Sequence, residues 1–97
     1  MKFENGAYQY GHQHETIVFK TWPEFWNAVD SKEKTAEVRF MTAAESKRIE
    51  NKDITAIKLV NTKNGNVLNA KLLWYDKVGS MLGNDVWMFC WDPKDVT

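Results

Sequence analysis

The chain reads as an α+β domain of about five mostly antiparallel strands and two helices, in the order β-α-β-α-β-β-β. Three observations predict it. Short runs of apolar residues alternate at a period of two, as half-buried strands do. One run, Trp22, Phe25, Trp26 and Val29, recurs instead at helical spacing. Between two strand-like runs, Ile54 to Tyr75, stands Asn64-Gly65, the pair that best supplies the two positive φ angles of a tight hairpin turn.

Residues 1–14 are polar and aromatic, with Gly6 and Gly11, and form a weakly specified N-terminal arm. A first strand is expected over Glu15 to Lys20, with Ile17 and Phe19 on one face. Thr21-Trp22-Pro23-Glu24 then starts a helix. Thr21 caps free amides, Pro23 suits the first turn, and Glu24 completes a capping box. The Trp22 to Val29 stripe packs this amphipathic helix on the sheet, and Asp30-Ser31 ends it.

Thr35 to Met41 alternates, with Val38 and Phe40 expected to face in and Glu37 and Arg39 out. Thr42-Ala-Ala-Glu45 is a second capping box and opens a short helical segment near 43–50, apolar only at Ala43, Ala44 and Ile49.

The hairpin follows. A turn at Asn64-Gly65 sets Leu59 opposite Ala70, Ile57 opposite Leu72 and Thr55 opposite Trp74, with Leu68 on the same apolar side. On the other face Lys58 lies directly across from Lys71, a like-charge pair that costs stability unless solvated or met by an anion. A loop over Val78 to Asn84 leads to the last strand, Asp85 to Trp91, which Asp92-Pro93 terminates. Trp87, Phe89 and Trp91 point one way along it, and Val86, Met88 and Cys90 the other.

At 97 residues the chain is one domain, large enough to fold without staples. Thirteen basic and thirteen acidic residues leave no net charge, the profile of neither a dedicated DNA-binding domain nor a DNA mimic. The single cysteine, Cys90, excludes an internal disulfide and multi-cysteine zinc sites, and reads as a buried, unreactive thiol. No charged-then-apolar leader opens the chain and no apolar stretch approaches the ~20 residues of a membrane span, so no membrane and a cytoplasmic location are expected.

Motifs for chemistry are thin. His12-Gln13-His14 places two imidazoles on one strand face, the start of a metal site, but with no further ligand pair. Gly79-Ser80-Met81-Leu82-Gly83 lacks the Lys-Ser/Thr of a phosphate loop. No G-x-S-x-G nucleophile elbow is present. No catalytic residue, metal ligand or cofactor is assigned, and an enzyme is not expected.

The aromatic excess points elsewhere. Five Trp are hard to bury in so small a core, and Trp is enriched at interface centres. With one good helix to cover a sheet whose last strand is apolar on both faces, one side is left for a partner. If the helix covers the aliphatic face, the Trp87, Phe89 and Trp91 stripe is left. If it covers the aromatic face, Val86 and Met88 are left.

The expectation is a non-enzymatic binding protein that occludes or bridges a protein partner, in the manner of small inhibitors encoded by bacteriophages and other mobile elements. Tyr75, Trp87, Phe89 and Trp91 are the candidate contacts, with Lys58 and Lys71 as a cationic spot, and a homodimer through the aromatic face is one form of it. Two alternatives belong to other classes. One is a nucleic-acid-binding module using the hairpin lysines, Lys58, Lys63, Lys71 and Lys77, with the Tyr8 and Tyr10 arm. The other is a small metal-dependent enzyme around His12 and His14.

Overall fold

The computed structural model describes residues 15–97. Among them the order is β1 (Glu15–Thr21), α1 (Pro23–Asp30), β2 (Ala36–Met41), α2 (Ala43–Glu50), β3 (Ile54–Asn61), β4 (Val67–Met81) and β5 (Asn84–Trp91), closed by a 3₁₀ turn at Pro93–Asp95. The five strands form one sheet in the order β1-β3-β4-β5-β2, with β1 parallel to β3 and every other pair antiparallel. The fold is α+β, with the element order that the sequence predicts. No helix among the described residues is long and apolar enough to cross a membrane.

Both helices cover the same face. The core joins Ile57 and Leu59 of β3, Leu68 and Ala70 of β4, and Trp87, Phe89 and Trp91 of β5 to Val29 of α1 and Ile49 of α2. Trp26 ties α1 down by donating its indole N–H to the Leu59 carbonyl at 3.2 Å. Trp87 does the same for α2, donating to the buried Ser46 hydroxyl at 2.9 Å. The capping box at Thr42 and Glu45 forms as expected. The one at Thr21 does not. Thr21 is the buried end of β1, paired with Asn61, so Trp22 becomes the N-cap with no side-chain capping bond.

The hairpin register differs from the expectation by two residues. Leu59 lies opposite Leu68 and Ile57 opposite Ala70, while Lys58 faces Asn69 and Lys71 faces Ala56. The predicted direct Lys58–Lys71 pair is therefore replaced by a diagonal one. Asn61 is the cause. Its side-chain oxygen accepts from the Lys63 amide at 2.9 Å and its carbonyl from the Gly65 amide at 2.8 Å, so the chain reverses through a four-residue loop, 62–65. Only Gly65 there has a positive φ, +76°. A shift of two leaves each side chain on its own face, which is why the core assignment survives the slip.

The loop expected at Val78 to Asn84 is strand instead. β4 runs on to Met81 and turns at Leu82 (φ 53°) and Gly83 (φ 82°), the two left-handed positions of a type I′ turn. Bulges between Leu72 and Trp74 and between Lys77 and Gly79 interrupt this long strand. The first turns Trp74 out of the core and Tyr75 in. Tyr75 stacks on Phe89 at 5.8 Å and donates its hydroxyl to the Lys52 carbonyl at 2.9 Å.

Candidate functional site

The face of the sheet opposite the helices has no cover among the described residues, and its composition follows from strand parity. Paired residues share a face, so Ala36, Val38 and Phe40 of β2 stand with Cys90, Met88 and Val86 of β5. Trp74, opposite Cys90, and Asp76, opposite Met88, continue the surface onto β4. Phe40 is 55% exposed, and Val38 and Trp74 are exposed with it. This half of the open face is apolar.

The other half sets lysines among the exposed Val18 and Val67. Lys20 of β1, Lys58 of β3 and Lys71 of β4 share the open face by register and run diagonally across three adjacent strands. None of the three enters an ion pair among the described residues, whose pairs instead use Lys34, Arg39, Lys52 and Lys77. Three like charges that no carboxylate pairs with among the described residues favour an approaching anion.

β2 is inverted relative to the sequence expectation. Glu37 and Arg39 turn into the protein, and Val38 and Phe40 turn out. The inward pair is well satisfied. Arg39 Nε donates to Glu37 at 2.6 Å, its Nη2 donates to the Lys20 carbonyl at 2.8 Å, and its guanidinium lies 4.4 Å from the Phe19 ring centre. Lys34 holds the other Glu37 oxygen at 2.9 Å. Inward charge on an edge strand guards against stray strand pairing. It does not account for Val38 and Phe40, each about half exposed, where roughly half of the ~1.5–3 kcal/mol of full burial is forgone per side chain.

The structure separates the predicted contact residues. Trp87, Phe89 and Trp91 are 4%, 0% and 2% exposed and belong to the core beneath the helices, so they offer no surface to a partner in this fold. Tyr75 is half-buried against Phe89 and Trp87. Lys58 and Lys71 do lie on the open face. The helices cover the aromatic face, which leaves Val86 and Met88 open. Cys90, expected to be buried, is half-buried on that same face. His12, His14, Tyr8 and Tyr10 lie outside the described residues.

The α1 stripe holds a further surprise. Val29 is buried, but Trp22 is 65% exposed and stacks on the exposed Phe25 at 6.1 Å. The two line a shallow cleft of about 290 Å³ with Lys20, Glu37 and Arg39. Helical spacing gives one stripe, but α1 is only eight residues long and meets the sheet through its C-terminal part. Among the described residues, no group of three or more His, Cys, Asp or Glu side chains is placed to hold a metal ion. No family model matches the chain, and no curated protein or solved structure matches it.

Proposed function

We propose that this chain is a protein-binding protein that occludes its partner with the open face of the sheet. One observation carries the reading: β2 points an ion pair inward and Val38 and Phe40 outward, against the burial preference of all four residues. Positions where local preference is overridden tend to be functional. Phe40, Val38, Met88 and Trp74 supply the apolar centre, and Lys20, Lys58 and Lys71 supply a charged flank. Aromatic residues and Met are the types enriched at interface centres.

The two halves describe the partner as a protein whose apolar patch adjoins an acidic one. A second copy complements the whole face poorly. A two-fold axis through its middle would lay each lysine half on the other copy's apolar half, where Asp76 is the one facing acid among the described residues. Nucleic acid is the second class of anion, but Phe40 and Trp74 are separated by the full width of β5 and do not form a continuous stacking platform.

The test is capture from cells that naturally contain the chain, comparing wild type, Phe40→Ser, and the Lys58→Glu/Lys71→Glu pair, with cross-linking to locate the contact. Recovery of one acidic protein, lost in both variants and cross-linked through β2 and β4, supports the reading. Recovery of nucleic acid, or of a protein equally well with Phe40→Ser, contradicts it.

A further inference from the structure

The free edge of β1 presents a different kind of site. The Glu15 amide donates to the Asp53 carbonyl at 3.0 Å, and the Thr62 amide donates to the Thr21 carbonyl at 3.0 Å. The odd residues of β1 therefore direct their backbone groups to β3. Strand geometry sends those of Thr16, Val18 and Lys20 to the opposite edge. Arg39 of β2 meets the Lys20 carbonyl on that side at 2.8 Å, which fixes the direction. The N–H and C=O groups of Thr16 and Val18 meet no partner among the described residues.

These groups open onto a groove of about 340 Å³ between β1 and α2. Ile17, Phe19, Met41 and Ile49 give it an apolar floor, and Glu15, Lys52, Glu45 and Arg48 rim it with charge of both signs. Arg48 enters no ion pair among the described residues, whereas Lys52 is held by Glu15 at 2.9 Å, which leaves Arg48 beside Glu45 as the cation open to a ligand. The groove thus combines an unpaired strand edge, a lining for apolar side chains and a cation. Its size falls within the range of clefts that hold ligands, about 300–1,000 Å³.

We propose that the groove binds an extended peptide, which adds to β1 as a further strand. Its main chain bonds Thr16 and Val18, alternate apolar side chains enter the groove, and a carboxylate side chain reaches Arg48. Main-chain bonds of this kind give affinity, and pockets for alternate side chains give specificity. A second copy would have to bring its own sheet and helices into a groove already bounded by α2, whereas a peptide brings one strand alone.

The probe is an acetylated, amidated heptapeptide with valine at every second position and one aspartate, titrated into the full chain and followed by amide NMR. The Thr16 and Val18 amides exchange rapidly in the free chain, shift on titration, and slow at least tenfold when the peptide is bound. Val18→Pro removes an outward donor without touching the β3 ladder, so the chain stays folded and binding weakens at least tenfold. Arg48→Glu weakens it at least fivefold, while Lys58→Glu on the open face leaves it unchanged, which keeps this site separable from the proposed protein-binding face.

Should Val18→Pro fail to fold, peptides N-methylated on alternate amides replace it, and only one of the two methylation patterns abolishes binding. Four results overturn the proposal: Thr16 and Val18 amides unmoved at millimolar peptide, slow exchange of both in the free chain, equal binding by both N-methylated peptides, or a concentration-dependent dimer that Val18→Pro abolishes.

Discussion

Arg39 of β2 and Lys20 of β1 belong to the two outermost strands of one sheet, yet the Arg39 guanidinium donates to the Lys20 carbonyl at 2.8 Å. The sheet is therefore curled until its edges meet at one end. The same guanidinium neutralises Glu37, whose carboxylate would otherwise be buried with Lys34 as its one cationic partner. A side chain on an edge strand thus closes the structure.

Arg39→Ala should cost about 2–3 kcal/mol, because removing one partner leaves a buried charge under-compensated. Arg39→Lys should restore little of it, since an ammonium lacks the fork that reaches Glu37 and the Lys20 carbonyl together. Urea unfolding of the three proteins measures both. A lysine variant as stable as wild type contradicts this account of the seam.

Trp87 and Trp91 are equally buried but differently satisfied. The Trp87 indole donates to Ser46 at 2.9 Å, whereas the Trp91 indole nitrogen has no hydrogen-bond partner among the described residues. Trp87→Phe strands the Ser46 hydroxyl and should therefore cost about 1–3 kcal/mol more than Trp91→Phe, which deletes an unpaired donor. Chemical denaturation decides it, and equal losses would show that packing alone governs both sites.

Leu82 sits at the tip of the β4–β5 hairpin, 93% exposed and with φ 53°. Asparagine tolerates the left-handed region that costs other residues roughly 1–2 kcal/mol, so Leu82→Asn should raise the melting temperature. A fall would mean that Leu82 has a contact in the folded chain.

The Glu45 carboxyl lies below its ordinary value, chiefly because it accepts from the Thr42 backbone amide, with the Thr42 side chain and the Arg48 charge adding to the effect. A depressed carboxyl stabilises the folded state above its unfolded pKa, and that contribution is lost as pH falls through the folded value. Acid should therefore loosen the start of α2. Side-chain NMR titration checks the direction, and a Glu45 midpoint at or above the ordinary glutamate value contradicts it.

What was legible in the sequence was periodic. The order of elements, the apolar faces of β3 and β5, and the Thr42 cap all follow from local pattern. What was not legible depended on partners distant in sequence. Alternation in β2 shows that Val38 and Phe40 share a face, but not which face is buried. That choice is made by Lys34, Phe19 and the Lys20 carbonyl around Glu37 and Arg39. The bulge at Leu72/Trp74 carries no signal of its own and reverses the facing of Trp74. The Leu82-Gly83 turn was hidden because leucine occupies a position where asparagine is usual. Trp87, Phe89 and Trp91 are free for a partner only if a single helix does the covering. Two do, since Ser46 and Ile49 give the polar-looking α2 a buried side.

The most direct test of the binding face is radical footprinting of the chain, free and with its captured partner. The account predicts that Phe40, Trp74 and Met88 are labelled in the free chain and protected in the complex, while Trp22 and Leu82 stay labelled in both. Protection confined to Trp22 and Phe25, with Phe40, Trp74 and Met88 labelled as strongly as before, would place the partner on α1 and contradict it.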